Sequence, residues 1–166
     1  MDDEDIRKNA EFLINEISGK EIPGEAKVNC RYKTLVNFAK IYGISDLKYV
    51  GPEEDGIIAC HGFANSFTVK SFYSLLIGYR LVQDGKERPL ITNPGKLLHA
   101  GNHYNWEGCV DVKNGDKLKV TAKWGKAWYV EKNKMFFAEL IATVKNQNEE
   151  LVCNVKSNLG IRPGGY

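Results

Sequence analysis

From Lys117 to Trp124 the apolar and polar positions alternate, with Leu118, Val120, Ala122 and Trp124 set against Lys117, Thr121 and Lys123. A period of two belongs to a strand with one buried face. Leu151, Cys153 and Val155 alternate in the same way with Asn154 and Lys156. Two more runs, HYNWEGCVDV (103–112) and MFFAELIATV (135–144), are rich in the aromatic and β-branched residues that favour strands. Short polar turns (KNG, VEKNK, KNQNEE) join the four, and Asn114-Gly115 reads as a two-residue hairpin turn between the first and the second. The predicted product is an antiparallel meander.

Upstream the period is helical. Ile6, Ala10, Leu13, Ile14 and Ile17 give the segment 5–17 one apolar face, and Gly19 stops it. KEIPGEAKVNCRY (20–32) is predicted extended, with Pro23-Gly24 as a turn signal. Thr34 is a candidate cap for a short helix, LVNFAKIYG, that ends at Gly43. SDLKYVGPEEDG (45–56) reads as loop. The most helical stretch runs from about Ala64 to Leu81. Phe67, Phe72, Leu75, Leu76, Tyr79 and Val82 recur closely enough there to predict burial on more than one side. QDGKERP (83–89) reads as a turn-rich connector.

A long buried helix followed by a curved antiparallel sheet predicts an α+β chain with the sheet wrapped around the helix, the layout called the hotdog fold. The length of 166 residues suits one domain, 1–166, with 1–18 as an N-terminal helical extension. The formal net charge of +2, from 23 basic and 21 acidic side chains, sets up no field that calls for nucleic acid or an anionic membrane. No apolar run approaches the length of a membrane span. The start MDDEDIRKNAEF lacks the basic-then-apolar plan of a signal peptide. Cys30, Cys60, Cys109 and Cys153 are scattered without a CxxC and read as reduced core thiols, so the expected location is the cytoplasm.

His99 and His103 have the spacing that would suit zinc on a helix. In a strand, residues four apart share a face but lie about 13 Å apart, too far to reach one metal. No metal and no cofactor is expected.

Three segments carry a resemblance. FAKIYG followed by a loop, then IIACHGFANSF opening the long helix, and LLHAGNHYNWEGCVDVKNGDKL further on, are similar in kind and order to MaoC-like hydratases and dehydratases. They match best the N-terminal, FAS1-like dehydratase branch of that family. The resemblance spans roughly Ile17 to Arg162 and implies a hotdog fold that adds water to enoyl thioesters of CoA or acyl carrier protein, or removes it from 3-hydroxyacyl thioesters. In active members an Asp and a His of a Gly-Asp-x-Asn-Pro-x-His motif handle water and proton. A backbone N–H at the start of the central helix receives the thioester oxygen.

Carried over by residue, His61-Gly62 matches the helix-start pair, so Gly62 N–H is the implied oxyanion donor, with His61 and Phe63 beside it as substrate-binding residues. Glycine suits a close thioester approach there, or simply permits tight helix–sheet packing. The acid–base motif falls on Gly43 to Tyr49, where Ile44 stands for the Asp and Tyr49 for the His, so the dyad is missing. Asp46, His61 and Tyr49 remain the candidate catalytic residues. Each also has a bland role, as a loop aspartate, a helix-start packing residue and an unactivated phenol. His99 and His103 become structural or pocket-lining. Lys123, Lys126 and Arg162 are named for holding nucleotide phosphates.

The implied partners are an acyl-CoA or acyl-carrier-protein thioester and a second hotdog. The second hotdog is either a dyad-bearing MaoC-like subunit, since this chain ends soon after its last strand, or another copy in a homodimer. The competing readings are a divergent but active enoyl-CoA hydratase or 3-hydroxyacyl dehydratase and, with no carboxylate in ANSFTVKSFYSLL to support it, an acyl-CoA thioesterase. Non-catalytic acyl-CoA binding for regulation or carriage is a third. A sheet with an open edge and an outer face bearing Trp106, Trp124, Trp128 or Tyr129 is expected to dimerise, the two sheets joining into one.

Overall fold

The computed structural model describes residues 3–166. The elements in chain order are α1 (Asp3–Ile17), β1 (Glu21–Asn29), α2 (Tyr32–Ile41), α3 (Leu47–Val50) and α4 (Ala64–Ile77), then β2 (Arg80–Gln83), β3 (Lys86–Pro89), β4 (Leu97–Asn105), β5 (Lys117–Val130), β6 (Met135–Lys145) and β7 (Leu151–Ile161). A five-stranded antiparallel sheet runs in the order β1-β5-β6-β7-β4, and β2 and β3 form a separate hairpin.

β5, β6 and β7 make the expected meander because each carries a strict apolar row. Leu118, Val120, Ala122 and Trp124 of β5 share the buried face with Phe136, Ala138, Leu140, Ala142 and Val144 of β6, and with Val155, Leu159 and Ile161 of β7. Phe67, Phe72, Leu75 and Leu76 of α4 complete this core. The valine, leucine, isoleucine and phenylalanine side chains among these each contribute about 1.5–3 kcal/mol by leaving water, and the alanines less. The result is α+β, a sheet packed on a central helix.

Several expectations are corrected. Residues 103–112 do not form a strand leading by a hairpin into β5. β4 begins earlier, at Leu97, ends at Asn105, and pairs with β7 on the far edge of the sheet. Asn114-Gly115 does form a turn, with Asp116 N–H donating to Lys113 O and Gly115 at φ +89°, but the turn joins no two paired strands. Pro23-Gly24 is a bulge inside β1 rather than a turn between elements.

α4 stops at Ile77, so Leu81 and Val82 belong to β2. QDGKERP is the tip and second strand of a hairpin whose Asp84 and Gly85 both take positive φ, the geometry of a tight two-residue turn. α4 is buried on one face only: Tyr73 is 47% and Ile77 63% exposed. Its closely spaced apolar residues include two that this chain leaves open.

Thr34 does not cap α2, which starts two residues earlier. The amide of Asn114 does that work from outside, accepting Tyr32 N–H at 2.7 Å and donating to Glu53 Oε1 at 2.7 Å. The aromatic residues named for the outer face also separate. Trp124 is 1% exposed and lies edge-on to Tyr79, 5.6 Å between ring centres, while Trp128 stacks on Phe137 on the opposite face. No helix among the described residues is long and apolar enough to cross a membrane.

Candidate functional site

The loop after α2 brings the chain to the start of α4. Gly43 turns it at φ +72°. Asp46 then caps α3, its Oδ1 accepting Lys48 N–H at 3.0 Å and its Oδ2 lying 3.7 Å from Lys48 Nζ. Ile44 and Tyr49 are half-buried and pack against the core, and the Lys48 ammonium sits 4.7 Å from the centre of the Tyr49 ring. Tyr32 Oη donates to Gly51 O at 2.9 Å, and Gly51 N–H to Leu47 O at 2.7 Å. Each side chain weighed for chemistry in this loop thus has a structural contact of its own.

The chain then crosses to the segment before β5, with Ala59 N–H donating to Val112 O at 2.8 Å. It enters a single 3-10 turn, His61–Phe63, continuous with α4. Phe63 is buried and meets Phe38 and Phe67 edge-on, at 5.4 and 6.0 Å, so it is a wall of the core rather than a free contact group. His61 is exposed and stacks almost parallel on Trp106 at 4.4 Å, and Trp106 stacks on Tyr104 at 5.7 Å.

Gly62 is exposed. A methyl group added there would meet only Phe38 Cε1, at an ordinary 3.6 Å. Neither packing within the chain nor backbone conformation therefore requires glycine at this position.

Beside the turn lies a cavity of about 150 Å3, with Phe63, Ala64 and Phe67 on its apolar side and His61, Trp106, Cys109 and Asp111 around the rest. Asp111 and Cys109 come from the irregular segment after β4. A polar string continues along β4. His99 Nε2 pairs with Asn102 Oδ1 at 2.9 Å, and Asn102 Nδ2 donates to Asn65 Oδ1 at 3.0 Å and to Tyr104 Oη at 2.9 Å. Tyr104 Oη shares a hydrogen bond with Thr68 Oγ1 at 2.8 Å. Burial pushes the Tyr104 phenol above its ordinary range, against the pull of Thr68 and Asn102, so it stays protonated at neutral pH.

His99 reaches this string because a bulge between His99 and Gly101 resets the register of β4. The same bulge corrects the expectation that His99 and His103 share a face: His99 lies on the α4 side, against Phe72 and Leu76, and His103 is exposed on the other. The phosphate-holding candidates lie elsewhere. Lys123 lines a shallow depression with Glu21 and Thr143, Lys126 sits over Trp128, and Arg162 follows β7, its N–H donating to Lys96 O. None of the three lines the cavity beside His61.

All four cysteines are free; Cys30, Cys60 and Cys153 are buried. Burial pushes the Cys30 and Cys153 thiols up to about 12, which removes them as nucleophiles at neutral pH.

Trp106, Asp111 and the Asn65–Asn102–Tyr104–Thr68 string are the site residues that sequence reasoning missed. The alternation of Asn102, Tyr104 and Trp106 was the available signal, since a period of two places all three on one face.

No protein-family model matches the sequence, and no curated protein matches it. Solved structures do match. The chain is similar to the MaoC-like dehydratase from Rhodospirillum rubrum, at 14% identity over 91% of this chain and 96% of that one, with a TM-score of 0.61. It is similar to the C-terminally truncated HadBC (3R-hydroxyacyl-ACP dehydratase) complex from Mycobacterium tuberculosis, at 15% identity over 89% and 99%, with a TM-score of 0.64. It also resembles the ChsH1-ChsH2 complex from Mycobacterium tuberculosis, at 10% identity over 89% and 99%, with a TM-score of 0.56. The chain has the hotdog fold of the MaoC-like dehydratases.

Proposed function

We propose that this protein binds an acyl thioester at the start of α4 and serves as the non-catalytic half of a hydratase/dehydratase pair, the acid–base residues coming from a second hotdog chain. The observation that carries this reading is the loop between Gly43 and Ile58. Ile44 cannot exchange a proton, Tyr49 packs against the core, and Asp46 is engaged as the cap of α3. Gly62 supports the other half of the reading. With no partner inside the chain that demands a glycine, the bare backbone is accounted for by an outside group approaching its N–H, as a thioester oxygen would. Two of the similar structures are complexes, HadBC and ChsH1-ChsH2, which supports pairing with a different chain.

The test is hydration of crotonyl-CoA by the purified chain, alone and mixed with a MaoC-like hotdog that carries Asp-x-Asn-Pro-x-His. General acid–base groups are typically worth about 10² to 10⁴ in rate each, so the lone chain should be near background. Activity of the mixture should survive Asp46→Asn, Tyr49→Phe and His61→Ala here. Robust turnover by the lone chain overturns the reading.

One observation favours a second reading, an active hydratase. His61 and Asp111 line the same cavity, so an imidazole and a carboxylate border the space beside the helix start. In that case the lone chain turns over crotonyl-CoA, and both His61→Ala and Asp111→Asn abolish the activity.

A further inference from the structure

Adjoining the His61 cavity through Phe63 and Phe67, which line both, a groove of about 390 Å3 opens between α4 and the edge strand β1. That volume is within the range of small-molecule sites, about 300–1,000 Å3. Three cations line it from three elements: Lys27 of β1, Arg31 at the entry to α2 and Lys70 of α4, with the hydroxyls of Thr34 and Ser66 between them. Lys27 is paired with Glu25 at 3.0 Å. Among the described residues neither Arg31 nor Lys70 has a carboxylate partner. The first turn of α2 opens here too, and the positive end of its dipole adds to the same field. A cleft lined by one sign of charge over a low-dielectric floor, here Phe63 and Phe67, concentrates that field.

We infer that this groove binds the phosphate-bearing nucleotide end of coenzyme A, making CoA rather than a carrier protein the thioester's carrier. The inference rests on the proposed thioester reading. The groove and the cavity share Phe63 and Phe67 in their linings, so they adjoin at the start of α4, and the long pantetheine arm of a thioester held at Gly62 can carry its charged end to these cations. Three cations around one groove suit the pyrophosphate and 3′-phosphate of coenzyme A better than the single phosphodiester on the pantetheine arm of a carrier protein. Arg31 can grip a phosphate through two N–H groups, and Lys70 adds a point charge. These residues replace Lys123, Lys126 and Arg162 in the phosphate-holding role.

Titration calorimetry with three probes tests this: adenosine 3′,5′-diphosphate, crotonyl-CoA and crotonyl-pantetheine, which lacks the nucleotide. The nucleotide alone should bind, and its affinity should fall steeply with added salt. Arg31→Ala and Lys70→Ala should each weaken crotonyl-CoA about tenfold, the loss of one charge-assisted contact. The double variant Arg31→Glu/Lys70→Glu should abolish nucleotide binding while leaving crotonyl-pantetheine unaffected. Both side chains are exposed, so an unchanged melting temperature verifies that the variants are folded.

Failure of the nucleotide to bind, or binding that ignores these substitutions, overturns the groove assignment. Crotonyl-pantetheine binding would then leave the thioester reading standing. Nucleotide binding that responds to the substitutions upholds the groove, even where no heat with crotonyl-pantetheine removes the thioester reading.

Discussion

Two segments converge on the start of α4, and they are built in opposite ways. In the loop from Gly43 to Ile58 the polar and aromatic groups hold one another: Asp46 caps α3, Tyr49 packs under Lys48, and Tyr32 fixes the carbonyl of Gly51. In the turn His61–Phe63 the imidazole lies exposed against Trp106, and Gly62 faces outward with space around it. One glycine in each segment states the difference. A methyl group on Gly51 would sit 2.5 Å from Leu47 O, a backbone atom that cannot yield, whereas one on Gly62 meets a single ring edge at 3.6 Å. The first glycine serves the fold; the second is free to serve a ligand.

Exchanging these glycines for alanine gives the largest contrast. Gly51→Ala should lower unfolding stability by about 1–3 kcal/mol, as overpacking does, read from the urea midpoint. Gly62→Ala should change stability by less than about 0.5 kcal/mol and yet weaken crotonyl-CoA binding. Equal stability losses at the two sites would erase the distinction.

A smaller effect separates cap from catalyst. Asp46→Ala should cost about 1 kcal/mol, and Asp46→Asn much less, because an amide oxygen still accepts Lys48 N–H; neither should alter crotonyl-CoA binding. A binding loss with both variants would return Asp46 to the site. Smallest is His61→Ala, which removes one stacked ring at the surface for about 0.5 kcal/mol. Its sharper readout is the emission of Trp106, which should shift as its face opens to water while the buried Trp124 stays constant.

The central meander and the helix that packs on it were legible because their apolar rows have the right period. What stayed illegible has particular physical causes. Continued alternation would set Trp124 and Trp128 on one face of β5, but a bulge between Trp124 and Ala127 turns them to opposite faces, and a lone Gly125 is its only trace in the sequence. The pairing of β4 with β7 joins residues 49 to 64 positions apart, a choice that local propensity does not encode. The β2–β3 hairpin, by contrast, announced itself through Asp84-Gly85, a turn pair passed over amid charged neighbours. At the site, His61 and Gly62 were found from their motif. Trp106 was not, although it continues the alternation of Asn102 and Tyr104, and Asp111 could not be, since it reaches the cavity from a segment with no regular period.

The single amide of Asn114 sets an order of assembly. It holds both the first turn of α2 and Glu53, residues 82 and 61 positions earlier. As the chain leaves the ribosome, α2 and the loop behind it therefore exist for several seconds without their clamp, at about 5–20 residues made per second. Their final shape is settled only when the approach to β5 has been synthesised and folded back, so the helix and loop that lead to Gly62 wait on a residue made long after them.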